Sequence, residues 1–100
     1  MSPSHHDEAV AKDRLRRALL AFQNAYGFNL EAHRRLKGLS QAEVETFWNG
    51  PGRRIEATMN ATAAEVVAAF QAFSAAGLVA SAEDRHRVTE AQRHLAEGAA

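Results

Sequence analysis

The chain has 100 residues, 46% of them hydrophobic, which is enough for one domain around a single core and too little for two. Twelve basic and twelve acidic side chains leave the formal charge at zero, without the basic surplus usual in dedicated nucleic-acid binders. The absence of cysteine excludes disulfide frameworks, thiolate metal sites and cysteine nucleophiles, and permits a reducing cytoplasm.

The amino terminus, Met-Ser-Pro-Ser-His-His-Asp, lacks the basic-then-apolar pattern of a secretion signal. The longest apolar stretch, Val66 to Ala80, is interrupted by Gln71 and Ser74 and is shorter than the roughly 20 residues of a membrane span. A cytoplasmic location without membrane association is therefore expected. A first helix is predicted from near Ser4 or Asp7 to Tyr26, because Leu15, Leu19, Phe22 and Tyr26 recur at spacings of four, three and four. Such an amphipathic helix needs a partner. Gly27 is predicted to interrupt it, Asn29 to cap a short second helix through Leu36, and Gly38 to end that one.

Ser40 and Glu43 have the spacing of a capping box, with Leu39 and Val44 placed for a hydrophobic staple. The helix they start carries Val44, Phe47 and Trp48 on one side, and Asn49-Gly50-Pro51-Gly52 breaks it sharply. A further helix with Ile55 and Met59 one turn apart is expected to close at Asn60, where Thr62 and Glu65 form a second capping box. The next helix then starts at about Ala63, is striped by Val66, Phe70 and Phe73, and stops at Gly77. Burial of the aromatic set makes Phe70→Ala an expected loss of about 3–5 kcal/mol.

After Gly77, Leu78-Val79-Ala80-Ser81 and His86-Arg87-Val88-Thr89 read as two short strands around the polar tetrad Ala82 to Arg85. Thr89 and Gln92 would then cap a closing helix through Leu95, followed by a frayed Ala/Glu/Gly tail. Ser81 and Asp84 also fit a capping box, with Val88, Ala91 and Leu95 as the stripe of a helix, so an all-helical chain is the alternative. No internal repeat or low-complexity tract is evident.

The succession of a helix pair, Gly-Leu-Val, a hairpin and a Thr-Glu-Ala-led helix over residues 39–97 resembles the winged-helix module of bacterial regulators, particularly the MarR-like group. That resemblance implies one mainly α domain over residues 1–100. It would comprise a winged helix-turn-helix with a small β-hairpin wing over 39–97, and a helical dimerisation element over 1–38. It implies a homodimeric DNA-binding transcriptional regulator that pairs through Leu15, Leu19, Phe22 and Tyr26. Arg53 and Arg54, Thr62 at the second helix, and Arg85 and Arg87 in the wing would meet phosphate. The expected recognition helix presents Ala63, Ala64, Glu65, Val67, Ala68, Gln71 and Ala72, so only Gln71 suits a base edge and no basic residue is available for guanine. A winged-helix adaptor or anti-regulator, docking on another protein through the Ala/Val-rich helix 63–76, is the alternative use of that fold.

Trp48-Asn49-Gly50 near the middle of the chain also resembles the Trp-x-Gly turn of the small secreted helical hairpins of ESAT-type systems, which pair into four-helix bundles. His86, Glu90 and His94 would stack on a continuous helix at a spacing suited to a metal, but no fourth ligand is evident. No nucleophile motif or phosphate-cradling Gly-rich loop is present, so neither a cofactor nor an enzymatic activity is expected.

Overall fold

Four helices follow one another in the computed structural model, which describes residues 5–99: α1 (His5–Leu36), α2 (Gln41–Asn49), α3 (Gly52–Ala75) and α4 (Ala82–Ala99). No strand occurs among the described residues, so the expected β-hairpin wing is absent and the winged helix-turn-helix is corrected to an all-helical fold. The predicted start at Ser4 lies outside the described residues.

Gly27 does not break α1. Glycine inside a helix costs only about 1 kcal/mol relative to alanine, and the buried side chains Leu15, Leu19, Phe22, Ala25 and Ala32 run past it on one face. Acidic Asp7 and Glu8 in the first turn and His33, Arg34 and Arg35 in the last complement the helix dipole at both ends. Gly38, at φ +86°, turns the chain out of α1.

α2 starts as predicted: Ser40 Oγ accepts from the Glu43 amide at 3.2 Å, and the Ser40 amide donates back to Glu43 Oε1 at 3.3 Å. Val44, Phe47 and Trp48 are its half-buried side chains. The Gly50-Pro51 turn then leads into α3, whose first residue, Gly52, is buried under Phe47 and Trp48.

The second predicted capping box does not form, and with it goes the helix-turn-helix. α3 passes unbroken through Asn60 and Thr62. The Thr62 hydroxyl donates backwards to the carbonyls of Thr58 at 2.7 Å and Met59 at 3.1 Å, a bond a threonine makes inside a helix. No non-glycine residue among those described has positive φ, so Asn60 does not adopt the left-handed conformation that closing a helix requires. The real end is at Gly77, φ +78°, where the Gly77 amide donates to Ser74 and the Leu78 amide to Phe73, the paired bonds of a Schellman cap.

α4 takes the all-helical alternative. Ser81 Oγ accepts from the Asp84 amide at 3.1 Å, and the helix runs from Ala82 through the segment predicted as the second strand, making the Thr89 cap unnecessary. It also continues through the tail expected to fray, to Ala99.

α1 and α3 lie antiparallel, Leu15 and Leu19 sitting with Phe73 at one level and Phe22 and Tyr26 with Met59 at the next, with an Arg14–Glu65 ion pair of 2.6 Å between the helices; α4 folds back along α3 with fewer contacts to α1. The α1–α3 seam repeats every seven residues: Ala11, Ala18, Ala25 and Ala32 on one helix, Gly52, Met59, Val66 and Phe73 on the other, all buried. Seven-residue spacing keeps a stripe facing its partner along a gently supercoiled pair, and alanine lets the two backbones come close. Val88 and Ala91 of α4 complete the core, with Phe70, Leu78 and Leu95 packed at its edge.

The molecule is long for its mass, measuring 58 × 23 × 21 Å with a radius of gyration of 16.4 Å. A compact domain of this length has a radius of about 13 Å. Its accessible surface is 7015 Å², against about 5,600 Å² for a typical folded monomer of this mass.

Candidate interaction surface

α4 packs more closely on α3 than on α1, and a groove of about 500 Å³ opens between α1 and the start of α4. Leu15, Leu19 and Phe73 lie along it as part of the core, while Leu20 from α1 and Val79 from the α3–α4 connection are 58% and 86% exposed. Its charged walls differ in sign. α1 contributes Lys12 and Arg16, one turn apart, and α4 contributes Glu83 and Asp84 in its first turn together with Arg87, so that the α4 wall is acidic on balance. Arg16 is bonded to Asp13 at 2.7 Å and Arg87 to Glu83 at 2.9 Å, both within one helix. Lys12 and Asp84 make no ion pair among the described residues.

Further along α1, Val10, Phe28 and Leu30 are also exposed, Phe28 at 70%. The opposite flank of the helix pair carries a second depression of about 590 Å³, bordered by the Arg14–Glu65 bridge. The hydrogen bond from Arg16 holds the Asp13 carboxyl below its ordinary range, and that from Arg34 does the same for Glu31.

At the far end of the bundle, Trp48 stands 4.9 Å from the His33 ring and edge-on to Phe47 at 5.0 Å, closing the α2–α3 turn. A Cβ on Gly52 would lie 2.4 Å from Trp48 Cε3, so only glycine fits beneath the indole. Asn29, Glu56, Asn60 and His94 border the same end, with His94 Nε2 and Asn60 Oδ1 2.8 Å apart.

The expected DNA-contacting residues are not gathered. Arg53 and Arg54 are exposed at the start of α3 and Gln71 near its end, a separation of about 27 Å at 1.5 Å per residue. Thr62 is occupied by backbone carbonyls, while Arg85 and Arg87 lie on α4 rather than on a wing. Of the expected dimerisation residues, Leu15, Leu19 and Phe22 are buried inside the chain and Tyr26 is partly exposed, its ring 6.3 Å from that of Phe22. The Ala/Val-rich segment 63–76 likewise turns Ala63, Val66, Ala69 and Phe73 inward, leaving Ala64, Glu65, Gln71, Ser74 and Ala75 exposed.

His86 and Glu90 do share one face of α4 and pair at 2.8 Å, but His94 faces Asn60. Among the described residues no cluster of three His, Asp or Glu side chains is placed to hold a metal, and no helix is long and apolar enough to cross a membrane.

The groove residues Leu20, Val79, Lys12, Glu83 and Asp84 carry no motif. Leu20 sits off the stripe of α1 and Val79 in a connection, so their common location depends on the angle of α4. No family model, curated protein or solved structure matches this chain.

Proposed function

We propose that this protein is a helical docking module, working by binding another protein rather than by catalysis, with the α1–α4 groove as its docking surface. The observation that carries this reading is the incomplete closure of the bundle. Along the groove Leu20 and Val79 are 58% and 86% exposed, left largely uncovered by the described residues. Clustered apolar exposure between charged walls is the arrangement of a protein interface, an apolar centre with a polar rim.

The geometry gives less support to DNA binding, since the basic residues expected at phosphate lie at opposite ends of the bundle. The Trp48-Asn49-Gly50 turn does join two helices, in keeping with the hairpin resemblance, but Gly38 and Gly77 divide that hairpin and α4 adds a third long helix.

A photo-crosslinking residue placed at position 20 or 79 tests the reading in the producing cell, with positions 57 and 64, exposed on α3, as controls. Discrete adducts at 20 and 79 alone are expected. No adducts there, or the same pattern at all four positions, would refute a docking function for the groove.

A further inference from the structure

Resting on that reading of the groove, we infer that the partner is a second copy of this chain, bound across a two-fold axis that sets the basic wall of each copy against the acidic wall of the other. A two-fold interface is self-complementary, so each contact between two patches occurs twice. The groove carries both halves of such a contact: Lys12 and Arg16 on α1, Glu83 and Asp84 on α4, bordering one cleft at the same level of the bundle. Exchanging the walls gives Lys12 and Arg16 of one copy the carboxylates of the other, and the reverse pairing follows by symmetry.

Lys12 and Asp84, the two wall residues without an ion pair among the described residues, gain one. Arg16 and Glu83 exchange exposed intrahelical bridges, which are weak, for partners across the interface. The same superposition brings Leu20 and Val79 of each copy out of water at its centre. A formal charge of zero leaves no long-range repulsion between copies.

Charge exchange between two variants tests the pairing. In Lys12→Glu/Arg16→Glu both walls are acidic, and in Glu83→Lys/Asp84→Lys both are basic, so each variant opposes its own dimer at both halves of the interface. Mixed together they restore attraction at both halves. Sedimentation of the natural chain over about 1 µM to 1 mM is expected to show a monomer–dimer equilibrium that weakens with added salt. Each variant should dissociate about 100-fold more readily, four exposed pairs being reversed at modest cost each, and the equimolar mixture should recover the dimer. Far-ultraviolet circular dichroism verifies that the variants keep their helices. Since lysines at the start of α4 oppose its dipole, Glu83→Gln/Asp84→Asn serves as a second, uncharged variant, whose dimer should be weakened less.

A natural chain that is monomeric throughout the range, folded variants that dimerise unchanged, or a mixture that fails to recover would each overturn the inference. Discrete crosslinks from position 20 or 79 whose mass is not twice that of the chain would leave the docking reading standing while this pairing fails. Absence of any crosslink there would refute both.

Discussion

Two adjacent valines of α3 allow the seven-residue seam to be tested against its own control. Val66 has no exposed surface and is the largest side chain so enclosed, whereas Val67 is half-buried beside it. Val66→Ala removes two methyl groups, worth about 1.6 kcal/mol in transfer energy. The space left behind, about 50 Å³, adds about 1.2 kcal/mol if nothing moves into it. Little can move, because Ala18, Ala63 and Ala69 are among the small side chains of the same core. Alanine's better helix propensity returns about 0.5 kcal/mol, leaving a net loss of about 2 kcal/mol. Val67→Ala makes the same chemical and propensity change but should stay within about 0.5 kcal/mol of the natural chain. Urea unfolding at fixed low protein concentration reads both, and thermal midpoints should separate by about 8–16 °C. Equal losses in the two variants would show that Val66 is not enclosed by the α1–α3 seam and would refute the packing described.

Gly52→Ala should cost about 1–3 kcal/mol through overpacking, since its Cβ would stand 2.4 Å from Trp48 Cε3 where carbon contacts are normally about 3.5–4.0 Å; a red-shifted emission of Trp48, the single tryptophan, is the expected sign, and unchanged emission with unchanged stability would disprove the close packing. Gly27→Ala should stabilise by about 0.5–1 kcal/mol, because position 27 is helical and a Cβ there meets nothing within 4 Å; a destabilised variant would indicate that α1 does break at this residue. The depressed Asp13 and Glu31 carboxyls favour the folded state while ionised, so their contribution is present above the ordinary carboxylate range and lost as pH falls through the depressed values. Asp13→Asn/Glu31→Gln should therefore lose less stability between pH 5 and 3 than the natural chain, and an equal loss would remove these two groups as contributors.

Local signals of equal quality in the sequence had unequal outcomes, and the difference is tertiary. Ser40-x-x-Glu43 caps a helix because Gly38 has already freed the chain from α1, leaving amides in need of acceptors. Thr62-x-x-Glu65 has the same spacing, but no glycine or proline lies between Gly52 and Gly77 to interrupt the helical ladder, and Glu65 is taken by Arg14. Gly77 was legible as a stop and is one, whereas Gly27 looked similar and is overridden by buried side chains on either side of it. The repeat that organises the seam went unseen because half of it is alanine, which adds little to a hydrophobic stripe. Read with burial, the seven-residue series of Ala11, Ala18, Ala25 and Ala32 is plain. The groove was not legible at all, since it arises from where α4 rests and not from the residues of any one segment.

A seam built on alanine places the burden of stability on length rather than on bulk. Each alanine buries little apolar area, so the pair is held by many shallow contacts along a seam of about 32 Å, and α4 adds Val88, Ala91 and Leu95 to them. α4 is tied more closely to α3 than to α1. A second copy seated in the groove would contact both α1 and α4 and so add to the contacts that join them. Binding to the folded form alone raises stability with partner concentration. The unfolding midpoint of the natural chain should therefore climb as its concentration rises through the dimer range, while that of Lys12→Glu/Arg16→Glu stays constant. A midpoint independent of concentration in both would sever association from the folding of this bundle.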